Sequence, residues 1–180
     1  MRADAQQNYD RILDAATHVL ATPGADQSMR AIARHADVGL ATLLRNFPSR
    51  DALFEALLRD RFRELTATGE ALLAASDPQA ALLGWLREFV LGADAYSGVV
   101  DAMTSAIADP ESPLHAACVA VRGAGAALLA RAQDAGVART DLDEADLFLL
   151  AAGCAWTIGE AATPTQREQM MAVQLGAVVA

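Results

Sequence analysis

The sequence predicts an all-α protein in which an N-terminal head of three helices is joined by a long fourth helix to a C-terminal helical bundle. Three observations predict it. Apolar residues recur at three- and four-residue spacing along the chain. No run of alternating β-branched residues and no Asn-Gly hairpin turn occurs. Alanine, the best helix former, is the commonest residue. A chain of 180 residues, 53% apolar, suffices for one large domain or two small ones sharing a helix.

The first helix is expected over Gln7–Ala21, with Ile12, Leu13, Ala16, Val19 and Leu20 on one stripe. Pro23-Gly24 ends it. Ser28 is an N-cap for a second helix, Met29–Ala36, which buries Met29, Ile32 and Ala33. Asp37-Val38-Gly39 makes a tight connection to a third helix, Leu40–Asn46, which Phe47-Pro48 stops. Ser49 caps a long fourth helix, Arg50 to about Ala75, whose buried side is Leu53, Phe54, Leu57, Leu58, Phe62 and Leu65. Five further helices follow: Gln79–Ala93, Ser97–Ala108, Leu114–Ala135, Leu142–Ala161 and Thr165–Val179. The breaks fall at Gly92, DPESP (109–113), GVARTD (136–141) and TPT (163–165), short connections suited to antiparallel neighbours.

Charge is unevenly spread. The net charge is −9 and the chain has no lysine. Residues 1–50 hold six arginines and five aspartates, net +1. Residues 51–180 hold eight arginines and eighteen acidic residues, net −10. Contacts to a nucleic-acid backbone must therefore come from arginine, hydroxyls, amides or helix-start N–H groups. The acidic remainder keeps an apolar body dissolved and weakens non-specific binding to DNA. Cys118 and Cys154 lie far apart in Ala-rich surroundings, as buried free thiols do, and no Cys/His spacing suits a metal. No nucleophile–His–acid pattern and no Gly-rich phosphate loop is present, so neither an enzyme nor a cofactor is expected. The longest uncharged stretch near the C-terminus, Leu147 to Gly159, is too short to cross a bilayer. The N-terminal MRADAQQNYDR lacks the apolar core of a signal peptide, and a cytoplasmic location is expected.

Two short helices joined by a tight turn, the second small and polar-faced, describe a helix-turn-helix. A helix that enters a major groove about 12 Å wide must be lightly decorated. Ala41 and Thr42 permit close approach, and Leu43 and Phe47, four apart, hold the helix to its neighbours. The face left over offers Leu40, Leu44, Arg45 and Asn46 to DNA. Arg45 suits either guanine or phosphate, Asn46 suits phosphate, and Arg50 in the next helix's first turn is placed to meet another.

The stretch RILDAATHVLA…SMRAIARHADVGLATLLRNFPSRDALFEALL resembles the N-terminal domain of TetR-type transcriptional regulators. The likeness covers about residues 8–60 and is carried by RILDAA, by AIA, and by the Thr42–Leu53 run with its Phe-Pro-Ser-Arg stop. It implies a homodimer whose first three helices bind double-stranded DNA, and whose later helices bind a small-molecule effector and dimerise through the last two. On that pattern residues 1–50 form the DNA-binding domain and 51–180 the ligand-binding and dimerisation domain. Thr42 and Ser28 match hydroxyls that contact the DNA backbone, Asn46 stands where a His is common, and Arg50 where a Lys or Arg meets phosphate. Two departures stand out: Gly39 removes a side-chain cap from the third helix, and Leu44 replaces an aromatic.

Candidates for an effector site in the body are Trp85, Phe89, Met103, Ile107, Cys118, Arg122 and Trp156. Trp85 and Trp156 lead, because this small-residue core has few large side chains to spare. Arg122 is either exposed or a partner for an anionic ligand, and His115 is expected in solvent. DLFLLAAGCAWTIGEA (146–161), apolar nearly all round, must be covered on more than one side and with QMMAVQLGAVVA (169–180) makes a plausible two-fold interface. The function expected is a ligand-responsive repressor that binds a palindromic operator as a homodimer. The alternative is a helical small-molecule-binding or adaptor protein that has lost DNA binding.

Overall fold

In the computed structural model, which describes residues 2–22, 26–95 and 105–180, helices make up the regular structure of the described residues. They are α1 (Arg2–Ala21), α2 (Met29–His35), α3 (Leu40–Asn46), α4 (Arg50–Leu72), α5 (Pro78–Ala95), a short stretch α6 (residues 105–108), α7 (His115–Asp134), α8 (Glu144–Gly159) and α9 (Pro164–Gly176). The expected break at Pro23-Gly24 and part of the expected Ser97–Ala108 helix lie outside the described residues. The all-α class holds, and the helices form two compact units, Met1–Asp60 and Arg61–Ala180.

Local chemistry accounts for most helix ends. The Ser28 hydroxyl accepts from Ala31 N–H, Ser49 from Ala52, Asp77 from Ala80 and Thr163 from Gln166. Asp143 and Asp146 form a reciprocal capping box at the start of α8. Arg131 serves the other end of a helix, donating to the carbonyls of Leu72, the last residue of α4, and of Ala75 just beyond it.

Unit 1 closes around Ile12, Ala16, Ile32, Ala33, Leu43 and Phe47, all buried. The Tyr9 ring lies 4.9 Å from the Phe47 ring, and Tyr9 Oη accepts from Arg59 at 2.9 Å. These contacts tie α1 both to the end of α3 and to α4.

In unit 2, α5 packs on α7, α8 and α9, and α8 packs on α7 and α9. The centre is Trp85, wholly buried. Its Nε1 donates to the Leu65 carbonyl at 2.8 Å, and Phe89 and Phe148 pack round its ring. Gly92, expected as a break, lies inside α5 instead. The Arg61 guanidinium crosses there, and a Cβ would meet its Nε at 3.1 Å, so the glycine makes room rather than ending a helix. An isolated bridge pairs Ala138 with Val179, and Arg139 donates to Val178. His115, expected in solvent, is half-buried, and its Nδ1 donates to the Ala106 carbonyl at 2.9 Å.

Candidate nucleic-acid interface

The turn between α2 and α3 has a specific geometry. Asp37 has φ 52°, a left-handed conformation that side chains with a Cβ adopt at a cost. Arg11 braces it from α1, donating to the Ala36 carbonyl at 2.8 Å and to the Asp37 carbonyl and carboxylate at 3.3 Å each. Sequence reasoning missed Arg11, because a contact 25 residues away leaves no local signal. Asp37→Ile is expected to lower the stability of the head by about 1–2 kcal/mol, since a β-branched residue is strained at positive φ. Asp37→Asn should be near neutral, because asparagine tolerates that region. Thermal melts of the two variants check the pair, and equal losses would remove the conformational explanation.

Gly39 is the N-cap of α3 and provides no side-chain bond; the first turn relies on Thr42 and Leu43 N–H donating to the Gly39 carbonyl. Leu43 and Phe47 are buried, whereas Ala41, Leu44 and Arg45 are exposed. A seven-residue helix thus turns one side to the core and leaves the other bare. Leu40, Thr42 and Asn46 are half-buried at the margin. The polar groups of the bare side bond to one another: Arg45 Nη2 donates to Thr42 Oγ1 at 3.0 Å, Arg45 Nε to the Ala41 carbonyl at 3.2 Å, and Asn46 Nδ2 to the Thr42 carbonyl at 2.8 Å. Ser28 and Arg50 are exposed, and Arg50 donates to Gln27 Oε1 at 3.4 Å. A hollow of about 400 Å³ lies beside Ser28, lined also by Asp26, Arg30, Ala33, Arg34 and Leu40, among others. The face is therefore short of bulk, arginine-bearing and open, as a groove-reading helix needs to be.

The residues suggested for an effector fall into two groups. Trp85, Phe89 and Cys118 are each buried in unit 2, with Ile107 half-buried on α6. Arg122 is not solvated: it is half-buried, pairs with Glu144 at 2.5 Å and lies over the Phe148 ring at 5.6 Å. Its expected exposure is corrected by Phe148 and Glu144, one helix away, which the local pattern of α7 does not reveal. Burial pushes the Cys118 thiol up to about 11 and Cys154 above its ordinary value, so both are poor nucleophiles at neutral pH. Trp156 does not join this cluster. It is 73% exposed, on the same side of α8 as Leu149, which is 72% exposed, with Val173 of α9 68% exposed. Met103 lies outside the described residues. Among the described residues no group of His, Cys, Asp and Glu suits a metal, and no helix is long and apolar enough to cross a membrane.

The comparisons with known proteins agree with this geometry. Residues 12–57 match the model of bacterial regulatory proteins of the tetR family, and residues 77–176 match the C-terminal domain of SbtR-like transcriptional regulators. No curated protein matches the sequence. Among solved structures, the TetR transcriptional regulator SCO0520 of Streptomyces coelicolor is 36% identical, with a TM-score of 0.68 over 95% of this chain and 98% of its own. A TetR transcription regulatory protein of Mycobacterium vanbaalenii is 32% identical, with a TM-score of 0.65 over 99% of both chains. The regulator LfrR of Mycobacterium smegmatis, solved with proflavine, is 23% identical with a TM-score of 0.66 over 97% of this chain and 98% of its own, and shares the fold. With a helix-turn-helix in unit 1, matches along both parts of the chain and full-length relatives at about a third identity, the chain belongs to the TetR family of DNA-binding transcriptional regulators.

Proposed function

We propose that the protein is a homodimeric repressor that places α3 of each subunit in successive major grooves of a palindromic operator and releases it when a small molecule binds the body. One observation carries the reading: α3 buries Leu43 and leaves Ala41, Leu44 and Arg45 bare. Nothing in the packing of unit 1 explains an exposed leucine beside an exposed arginine on so small a helix, whereas groove contact does. On this reading Ser28, Thr42, Asn46 and Arg50 hold phosphates, while Leu40, Ala41, Leu44 and Arg45 face base edges. The two α3 helices would be about 34–36 Å apart, one turn of duplex. Residues 1–50 then act as the DNA-binding domain and residues 51–180 as the effector and dimerisation domain, in a cytoplasmic protein.

The effector would enter near Trp85, Phe89, Ile107, Cys118 and Arg122, and act through α4, the helix that runs from residue 50 of the head to residue 72 of the body. Induction is then a difference in affinity between two arrangements of the pair of heads. Trp156 belongs to the dimer face rather than to the effector site, which its exposure supports.

Fluorescence anisotropy with the duplex upstream of the protein's own gene tests the reading. Wild type should bind with a steep salt dependence and resist competition by random duplex. Arg45→Ala should weaken that binding by about tenfold or more while the protein stays dimeric, since a good arginine–base or arginine–phosphate contact is worth about 1–3 kcal/mol. Unchanged affinity would remove Arg45 from the interface. No binding by wild type at low salt would favour the adaptor reading, in which uncapped Gly39 and Leu44 mark a head that no longer reads DNA.

A further inference from the structure

We infer that Asp26 limits how tightly the protein grips DNA, because its carboxylate occupies the Arg34 guanidinium beside Ser28, where a backbone phosphate would approach. The inference rests on the reading of Ser28 as a backbone contact. Asp26 Oδ1 accepts from Ser28 N–H at 3.0 Å, and Oδ2 lies 3.8 Å from Arg34 Nη2. Both side chains are well exposed, and both border the hollow that also contains Ser28, Arg30 and Leu40. The hydrogen bonds from Ser28, backbone first and hydroxyl second, and the Arg34 charge after them, hold the Asp26 carboxyl below the usual carboxylate range, so it is ionised at neutral pH.

The chemistry is an exchange of anions. A carboxylate and a phosphate offer an arginine the same kind of charged acceptor. When duplex arrives, Arg34 trades Asp26 for phosphate, and the released carboxylate faces the polyanion or takes up a cation. Counterion release drives such binding, and the cation that the freed Asp26 takes up offsets the one Arg34 releases. The effect matters in a head that carries a net charge of only +1 and no lysine. Asp26 acts on affinity for any sequence, because phosphates carry no base identity.

Asp26→Asn isolates the charge: the amide oxygen still accepts from Ser28, but Arg34 is left without its carboxylate. Anisotropy titrations of the full-length protein, on the upstream duplex and on a scrambled one, are run from about 50 to about 300 mM KCl. D26N should steepen the plot of log affinity against log salt by about 0.9, and tighten binding to both duplexes about eightfold at about 0.1 M salt. Its thermal melt should stay close to wild type, because the charge it removes is well exposed. Adding Arg34→Gln should cancel the gain. The inference is overturned if D26N and wild type share one slope and one affinity, or if the gain survives in the D26N/R34Q double variant. Absence of binding by wild type and all variants alike at the lowest salt overturns the DNA-interface reading, and this inference with it; binding by wild type without a gain in D26N overturns this inference alone.

Discussion

Trp156→Asp is expected to turn the protein into a monomer and to weaken operator binding by about 10²-fold or more. Trp156 and Leu149 are seven residues apart on α8, so they share one side of the helix, and both are almost three-quarters exposed. Val173 of α9, the helix against which α8 packs, is exposed as well. An exposed tryptophan and leucine on one side of a helix suit a two-fold contact, because the same patch meets itself. Gly153, between the two large residues, has open space where a Cβ would point, so a partner helix can approach there. Buried tryptophan anchors typically contribute about 2–4 kcal/mol to an interface, and a two-fold contact would use this one twice. The introduced carboxylates, one from each subunit, would also meet as like charges in a place without water. In the proposed dimer, loss of the partner would remove the second head, and with it the effective concentration that joins two weak half-site contacts, a factor of about 10²–10⁴. Light scattering after gel filtration measures the mass directly. Val119→Asp is the control: Val119 is half exposed, but on α7, and that variant should stay dimeric. A dimeric Trp156→Asp variant would move the interface off α8 and α9.

Where the sequence was informative, the signal was local. Ser28, Ser49 and Phe47-Pro48 mark helix ends by bonds or steric limits within three residues, and the structure has those helix starts and that stop in those places. Leu43 and Phe47 were legible as the anchors of α3 for the same reason, being four apart on a short helix. Contacts between distant segments were not legible. Arg11 reaches a turn 25 residues on, Arg122 finds Glu144 and Phe148, and Gly92 is a gap for Arg61 that reads as a helix breaker. Trp156 shows a different limit. Its helix is apolar on every side, which says that each side needs a cover but not whether the cover is the chain itself or a second copy. On α3, spacing indicated the side packed on the core; how Arg45 and Asn46 fold back onto Ala41 and Thr42 follows from side-chain geometry that spacing does not encode.

Trp85→Ala is expected to cost unit 2 about 3–5 kcal/mol, the range for removing a large aromatic from a packed core. The site is unusually closed. The ring has no exposure, and glycines flank it on two helices. A Cβ on Gly69 of α4 would come within 2.9 Å of Nε1, and a Cβ on Gly125 of α7 within 2.9 Å of two carbons at the far edge of the ring. The indole thus fills a slot whose opposite ends are both cut to backbone, and it cannot shift toward either. Its N–H adds a bond to the Leu65 carbonyl of α4, so the same side chain joins the core to that helix. Three variants separate these terms. Trp85→Phe keeps an aromatic ring but loses the N–H and some volume, and should cost about 1–2 kcal/mol. Gly125→Ala keeps the tryptophan and forces a contact that Gly69 prevents from relaxing, at about 1–3 kcal/mol. Trp85→Ala loses ring, bond and packing together and should be the least stable of the three. Urea unfolding followed by circular dichroism gives the order. If Gly125→Ala unfolds at the wild-type midpoint, the ring has room to move, and the fixed slot is wrong even if Trp85→Ala behaves as expected.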